Sequence, residues 1–243
     1  MKICGLQKTT LLDFPGHVAA TVFLNGCNFR CPFCHNGDLL SDSAPGLMTE
    51  GELLDFLKKR RGMLEGVCIP GGEPTLHLVL ETLIRGITEL GYLVKLDTNG
   101  YRPAILKSLV EKGLLDYVAM DIKAGRARYG EVAGRPGLDI GLIGESADFL
   151  LHGTLDFEFR TTVAKELLTA DDFEDIARWL DGCPKYFLQN YTDSDQVLTP
   201  GLSGCTKDEL LTFASILRPH MGTVELRGIE PRPDNRTLSL LRA

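Results

Sequence analysis

Ala19-Ala20-Thr21-Val22-Phe23-Leu24, followed by Cys27-Asn28-Phe29-Arg30-Cys31-Pro32-Phe33-Cys34-His35-Asn36, is the stretch around which the chain is organised. The first run is apolar and bounded by turn residues, which predicts a buried strand. The second puts three thiols within eight residues on the loop that follows. Iron–sulfur clusters are normally held by four cysteine thiolates, so a compact group of three implies a cubane with one iron left open to an outside ligand. Catalytic zinc sites keep one position free for the same reason. The alternative is a zinc knuckle of Cys27, Cys31, Cys34 and His35. Structural zinc sites usually take their ligands as two separated pairs, however, and the sequence has no second C-x2-C.

Outward from this loop, apolar strand-like runs at 66–70, 93–96, 117–120, 157–163 and 186–189 alternate with helical patterns. The helices fall at 49–60, 76–90, 103–112, 144–152, 171–180 and 207–217. Alternation of this length implies βαβ crossovers and a parallel sheet. About six strand–helix units without a second phosphate-type glycine fingerprint favour an α/β fold of the partial (β/α)6 TIM-like barrel type over a doubly wound sheet. A single domain is expected over 1–243, with an N-terminal extension at 1–18, a barrel core at 19–220 and a C-terminal covering segment at 221–243. Residues 224–226 in that segment read as one further strand. In such barrels chemistry sits on the loops at the C-terminal ends of the strands.

The 243 residues are 44% hydrophobic and 24% charged, with a net charge of −7. This is the composition of a globular protein, and the acidic balance argues against a sequence-independent nucleic-acid binder. No apolar run reaches the ~20 residues of a membrane span, and the N-terminus has no signal-peptide core. Seven cysteines, three of them clustered, fit metal binding in a reducing compartment. A cytoplasmic enzyme is expected, with neither membrane nor nucleic acid as partner.

The remaining unusual motifs stand at predicted strand ends. In Pro70-Gly71-Gly72-Glu73-Pro74, paired glycines let backbone approach a ligand and the carboxylate can accept from an ammonium group. Asp97-Thr98-Asn99-Gly100 and Asp121-Ile122-Lys123 follow, and each alone also reads as a polar strand cap. Arg160 lies in a run that otherwise reads as buried, where it can pair bidentately with a carboxylate. Phe33 offers an aromatic face for a base. The long stretch 125–141 carries Arg126, Arg128 and Arg135 and suggests a docking lip.

Taken with the C-x3-C-x2-C loop, these motifs resemble the radical S-adenosylmethionine (SAM) superfamily. More narrowly, they resemble its glycyl-radical-enzyme activases, above all the short insert-free activases of anaerobic ribonucleoside-triphosphate reductases. The resemblance implies one [4Fe-4S] cluster on Cys27, Cys31 and Cys34, cleavage of SAM, and hydrogen abstraction from a glycine of a partner enzyme. It implies that Gly71, Gly72 and Glu73 hold the SAM amino group and that Lys123 and Asn36 contact SAM. Asp97, Thr98 and Asp121 would hold a monovalent cation beside the SAM carboxylate. Gln189 stands where relatives often carry a histidine. Phe33 is the adenine neighbour. The implied partners are a glycyl radical enzyme, such as anaerobic ribonucleoside-triphosphate reductase, and a low-potential donor such as flavodoxin or ferredoxin. The rival within the superfamily is an enzyme acting on a small molecule or peptide.

Overall fold

The strand read at 19–24 is β2 (Ala19–Leu24), and every later strand lies beside its predecessor in the chain. The computed structural model describes residues 1–229 apart from 42, 195 and 196. Its sheet runs β1 (Ile3–Thr10), β2, β3 (Gly66–Ile69), β4 (Leu93–Thr98), β5 (Tyr117–Asp121), β6 (Asp156–Val163), β7 (Lys185–Asn190) and β8 (Thr223–Arg227). β1 pairs antiparallel with β2, and the other six pairings are parallel. The helices are α1 (Glu50–Lys59), α2 (Leu80–Glu89), α3 (Pro103–Glu111), α4 (Tyr129–Val132), α5 (Ile140–Leu151), α6 (Ala170–Trp179) and α7 (Lys207–Leu217). Six strand–helix units thus form a partial barrel, with β8 as its last parallel strand.

Parallel strands covered on both faces need continuous apolar runs, and all four residues of β3 are buried. Three helices start at reciprocal capping boxes: Thr49 with Glu52, Thr169 with Asp172, and Thr206 with Glu209. α5 begins at Ile140 rather than at 144. Asp139 caps it by accepting from the Gly141 backbone at 2.9 Å, while Gly141 and Gly144 weaken the sequence signal for the first turn. The residues read as an N-terminal extension supply β1, and those read as a covering segment supply β8. Residues 230–243 of that segment lie outside the described residues.

Inside the sheet, the side toward the strand N-termini is closed. Phe14 packs on Ala19 and Tyr117. The Tyr117 hydroxyl donates to Glu158 at 3.2 Å, and Arg227 grips both Glu158 oxygens at 3.0 and 3.1 Å. The only cavity that gathers the motifs read from the sequence lies at the other end, among the described residues.

Candidate active site at the C-terminal ends of the strands

Cys27, Cys31 and Cys34 all line this cavity. Their loop is held by its own polar groups. The Phe29 N–H donates to the Cys27 sulfur at 3.4 Å, and the Arg30 guanidinium donates to the carbonyls of Cys27 and Phe29, each at 2.7 Å. Burial pushes the Cys27 thiol up to about 12 and the Cys31 thiol up to about 11, and raises that of Cys34. The free chain therefore presents neutral thiols, and binding a metal must release their protons.

The diglycine after β3 lies against this loop. A Cβ at Gly71, whose φ is +131°, would meet the Leu24 carbonyl oxygen at 2.3 Å, and one at Gly72 would meet that of Gly26 at 1.8 Å. Only glycine allows such a crossing. Gly72 N–H donates to Leu24 and Glu73 N–H to Gly26, at 2.9 and 2.7 Å, and the Asn36 amide donates to the Gly71 carbonyl at 3.2 Å. Gly71, Gly72 and Asn36 line the cavity, whereas the Glu73 side chain does not. Glu73 is fully buried. It accepts from the Thr75 backbone at 3.0 Å, the Thr75 hydroxyl at 2.5 Å, the Thr98 hydroxyl at 2.8 Å and the Asn99 backbone at 2.6 Å. The carboxylate expected on a ligand's ammonium is instead saturated by the chain, where it ties the β3 loop to the β4 loop.

Across the cavity from the thiols stands a chain of alternating charges. Lys95 hydrogen-bonds Asp97, Asp97 pairs with Arg160 at 2.9 Å, Arg160 with Asp121 at 2.5 Å, and Asp121 with Lys123 at 3.0 Å. Register puts Asp121 directly opposite Arg160. Burial opposes ionisation of both carboxyls, but Arg160 and the lysines outweigh it and hold Asp97 and Asp121 below the ordinary carboxylate range. Lys123 is disfavoured by burial and raised overall by Asp121 and its other neighbours. Asp97 and Asp121, expected with Thr98 to hold a monovalent cation, are paired here with the protein's own cations. Lys123 also sits 5.7 Å above the ring of Phe33, so the cysteine loop and the charge chain meet.

A radical SAM superfamily model matches residues 21–140. A Methanocaldococcus jannaschii protein bearing the provisional name of glycyl-radical enzyme activating enzyme is 32% identical over 200 residues, covering 79% of this chain and 81% of that one. The chain belongs to the radical SAM superfamily. The pyruvate formate-lyase-activating enzyme of Clostridium pasteurianum is 30% identical over 127 residues, about half of each chain (50% and 52%). Among solved structures, Streptococcus suis SuiB bound to S-adenosylmethionine superposes with a TM-score of 0.62. The match covers 86% of this chain and 52% of SuiB at 13% identity, a likeness of fold.

Radical SAM enzymes use a [4Fe-4S] cluster and SAM, and the donor set here fits that pair. Three thiols on one loop line the cavity, and no other cysteine does. Among the described residues no three His, Cys, Asp or Glu side chains converge closely enough to hold a single metal ion. Three thiols on one loop are the donor set that leaves one iron of a cubane open to an outside ligand. His35, the fourth ligand of the zinc-knuckle alternative, is engaged with the Thr192 carbonyl at 2.5 Å and stacked on Tyr191 at 5.4 Å.

The other expected residues divide. Phe33, Asp97, Thr98, Asp121, Lys123 and Arg160 line the cavity, and Gln189 does not. The arginines of the expected docking lip are engaged by the chain itself. Arg126 pairs with Asp175 at 2.9 Å, and Arg128 pairs with Asp172 and Glu131 at 2.8 and 2.9 Å. Arg135 lies 4.3 Å over the Tyr101 ring and donates to the Asn28 carbonyl at 2.9 Å. The Arg30 N–H donates to Ala133, and a Cβ at Gly134 would meet the Arg30 carbonyl oxygen at 2.1 Å. Residues 133–135 thus buttress the cysteine loop. Lys95 was not foreseen as a site residue. Its signal was a lone lysine inside the apolar run Leu93-Val94-Lys95-Leu96. Among the described residues, no helix is long and apolar enough to cross a membrane.

Proposed function

We propose that this chain is a glycyl-radical-enzyme activase that holds a [4Fe-4S] cluster on Cys27, Cys31 and Cys34 and binds SAM beside it. The observation that carries the reading is that the three-thiol loop, the backbone of Gly71 and Gly72, and the Arg160–Lys123 pair all border one cavity. When bound, the cluster supplies the electron that cleaves SAM and so generates the adenosyl radical that takes a glycine hydrogen.

The chain's residues bind and orient. Arg160 and Lys123 receive the methionyl carboxylate, and the backbone of the Gly71-Gly72 turn receives the amino group. Phe33 and Asn36 flank the remainder of SAM, Phe33 offering its ring to adenine. Thr98 contributes from below, through Glu73, by fixing the turn. The similarity to named activases supports a protein glycine as substrate. The partner in this reading is anaerobic ribonucleoside-triphosphate reductase, with a flavodoxin or ferredoxin as donor of the single electron. Abstraction requires the adenosyl carbon to lie against the glycine α-carbon, so the partner's glycine loop must enter this cavity.

The test is anaerobic incubation of reconstituted protein with SAM and dithionite, with and without the candidate reductase, followed by electron paramagnetic resonance. A glycyl radical doublet that needs all components supports the activase. SAM cleavage without a protein radical, for every glycyl radical enzyme tried, directs the chemistry to a smaller substrate.

A further inference from the structure

Lys95 is 1% exposed, in the middle of a strand whose neighbours are apolar. A lysine is buried only at a cost, and the pairing must compensate. Its ammonium hydrogen-bonds Oδ1 of Asp97 and reaches the Cys68 sulfur at 3.6 Å. Burial raises the Cys68 thiol well above its ordinary value, so it stays neutral and adds no charge. The other oxygen of Asp97 pairs with Arg160. The oxygens of Asp121 are likewise divided between Arg160 and Lys123. All four carboxylate oxygens of the pair are therefore engaged by three protein cations, which compete for them with any dissolved cation.

The charge sum shows what Lys95 does. Three cations against two carboxylates leave the chain of groups with one positive charge, at the end that borders the cavity. Without Lys95 the sum is zero, and Asp97 would hold Arg160 alone. A receptor with one uncompensated positive charge attracts a carboxylate, and a neutral one does so far less.

We propose that the Lys95 ammonium serves in this chain as a tethered monovalent cation, neutralising Asp97 so that Arg160 and Lys123 hold a carboxylate without help from dissolved potassium or sodium. This rests on the reading of the cavity as a SAM site. Lys95 does not line the cavity, so it is a positioning residue that acts through Asp97 and Arg160.

The test is equilibrium binding of SAM to the anaerobically reconstituted protein, with choline as the sole monovalent cation or with potassium or ammonium added. The wild type should change affinity by less than about twofold between these buffers. Lys95→Ala should bind SAM about tenfold to hundredfold more weakly in choline, the loss expected for a charged hydrogen bond, and should regain affinity when ammonium or potassium is supplied. Lys95→Arg should stay near wild type. A wild type that needs potassium overturns the proposal. So does a Lys95→Ala protein that binds normally, or one that loads its cluster and loses affinity beyond rescue by any cation. Where Lys95→Ala does not fold, the cation response of the wild type and of Lys95→Arg decides alone. A wild type that binds no SAM in any buffer overturns the SAM reading itself and this proposal with it.

Discussion

Glu158 and Arg160 stand two residues apart on β6, on the same face of the strand, and end in different kinds of network. Glu158 is 1% exposed, and its charge is met by one guanidinium. Arg227 lies 3.5 Å over the Phe187 ring, and burial together with Glu158 holds the Tyr117 hydroxyl protonated as a donor. That network sums to zero, with Glu158 buried and Arg227, 36% exposed, at its outer edge. The Arg160 network sums to one positive charge and opens on the cavity beside the thiols. A pair whose charges cancel serves the scaffold, since losing Arg227 would leave the Glu158 charge buried without compensation. A buried chain with a remainder of charge at a cavity suits the carboxylate receptor proposed for it.

The comparison breaks hardest at the thiols. Cys27→Ala, Cys31→Ala and Cys34→Ala should each abolish cluster loading, while Cys183→Ala and Cys205→Ala should load normally, because only the first three line the cavity. Iron and sulfide analysis of reconstituted protein checks this, and a normally loaded Cys31→Ala protein would contradict it. The next effect belongs to the closed network. Glu158→Gln should destabilise the fold by about 2 kcal/mol, the value of hydrogen bonds to a charged group. For a chain of this length that corresponds to a midpoint lower by about 5 °C. Its cluster content and SAM affinity should not change; a fall in SAM affinity would erase the distinction between the two networks.

The contrast between these networks also explains what the sequence disclosed. Cys27, Cys31 and Cys34, the Gly71-Gly72 pair and Asp97-Thr98 were legible because their chemistry needs particular residue types within a few positions. The alternation that gives the barrel was legible because buried parallel strands are apolar throughout. Arg227 and the segment around Gly134 were not, because their partners lie far away in the chain; Lys95 was not, because nothing local shows that its neighbour Asp97 turns its other oxygen to Arg160. Arg227 meets Glu158 only through the placement of β8, and Arg135 meets Asn28 only once the β5 segment folds over the cysteine loop. Glu73 was legible as a site residue but not in its role, since nothing local reveals that Thr98 and Asn99 will occupy its oxygens.

A smaller effect sharpens the cavity side. Because burial pushes the Cys27 and Cys31 thiols up to about 12 and about 11, both are protonated at neutral pH in cluster-free protein. A raised thiol pKa leaves less thiolate at a given pH, so alkylation at pH 8 should be slower than for a free cysteine by about two orders of magnitude at Cys31 and about three at Cys27. It should then rise about tenfold per pH unit through pH 10. Mass spectrometry of alkylated peptides reads these rates. A plateau above pH 9 would show thiols of ordinary acidity and contradict the burial argument.

The most direct measurement is SAM binding to two reconstituted variants, Arg160→Gln and Arg227→Gln, alongside their thermal stability. Arg160→Gln should keep its cluster and lose SAM affinity by about tenfold or more. Arg227→Gln should lose stability and keep SAM affinity. Equal loss of affinity in both, or wild-type affinity in Arg160→Gln, would contradict the assignment of the upper network as the carboxylate receptor.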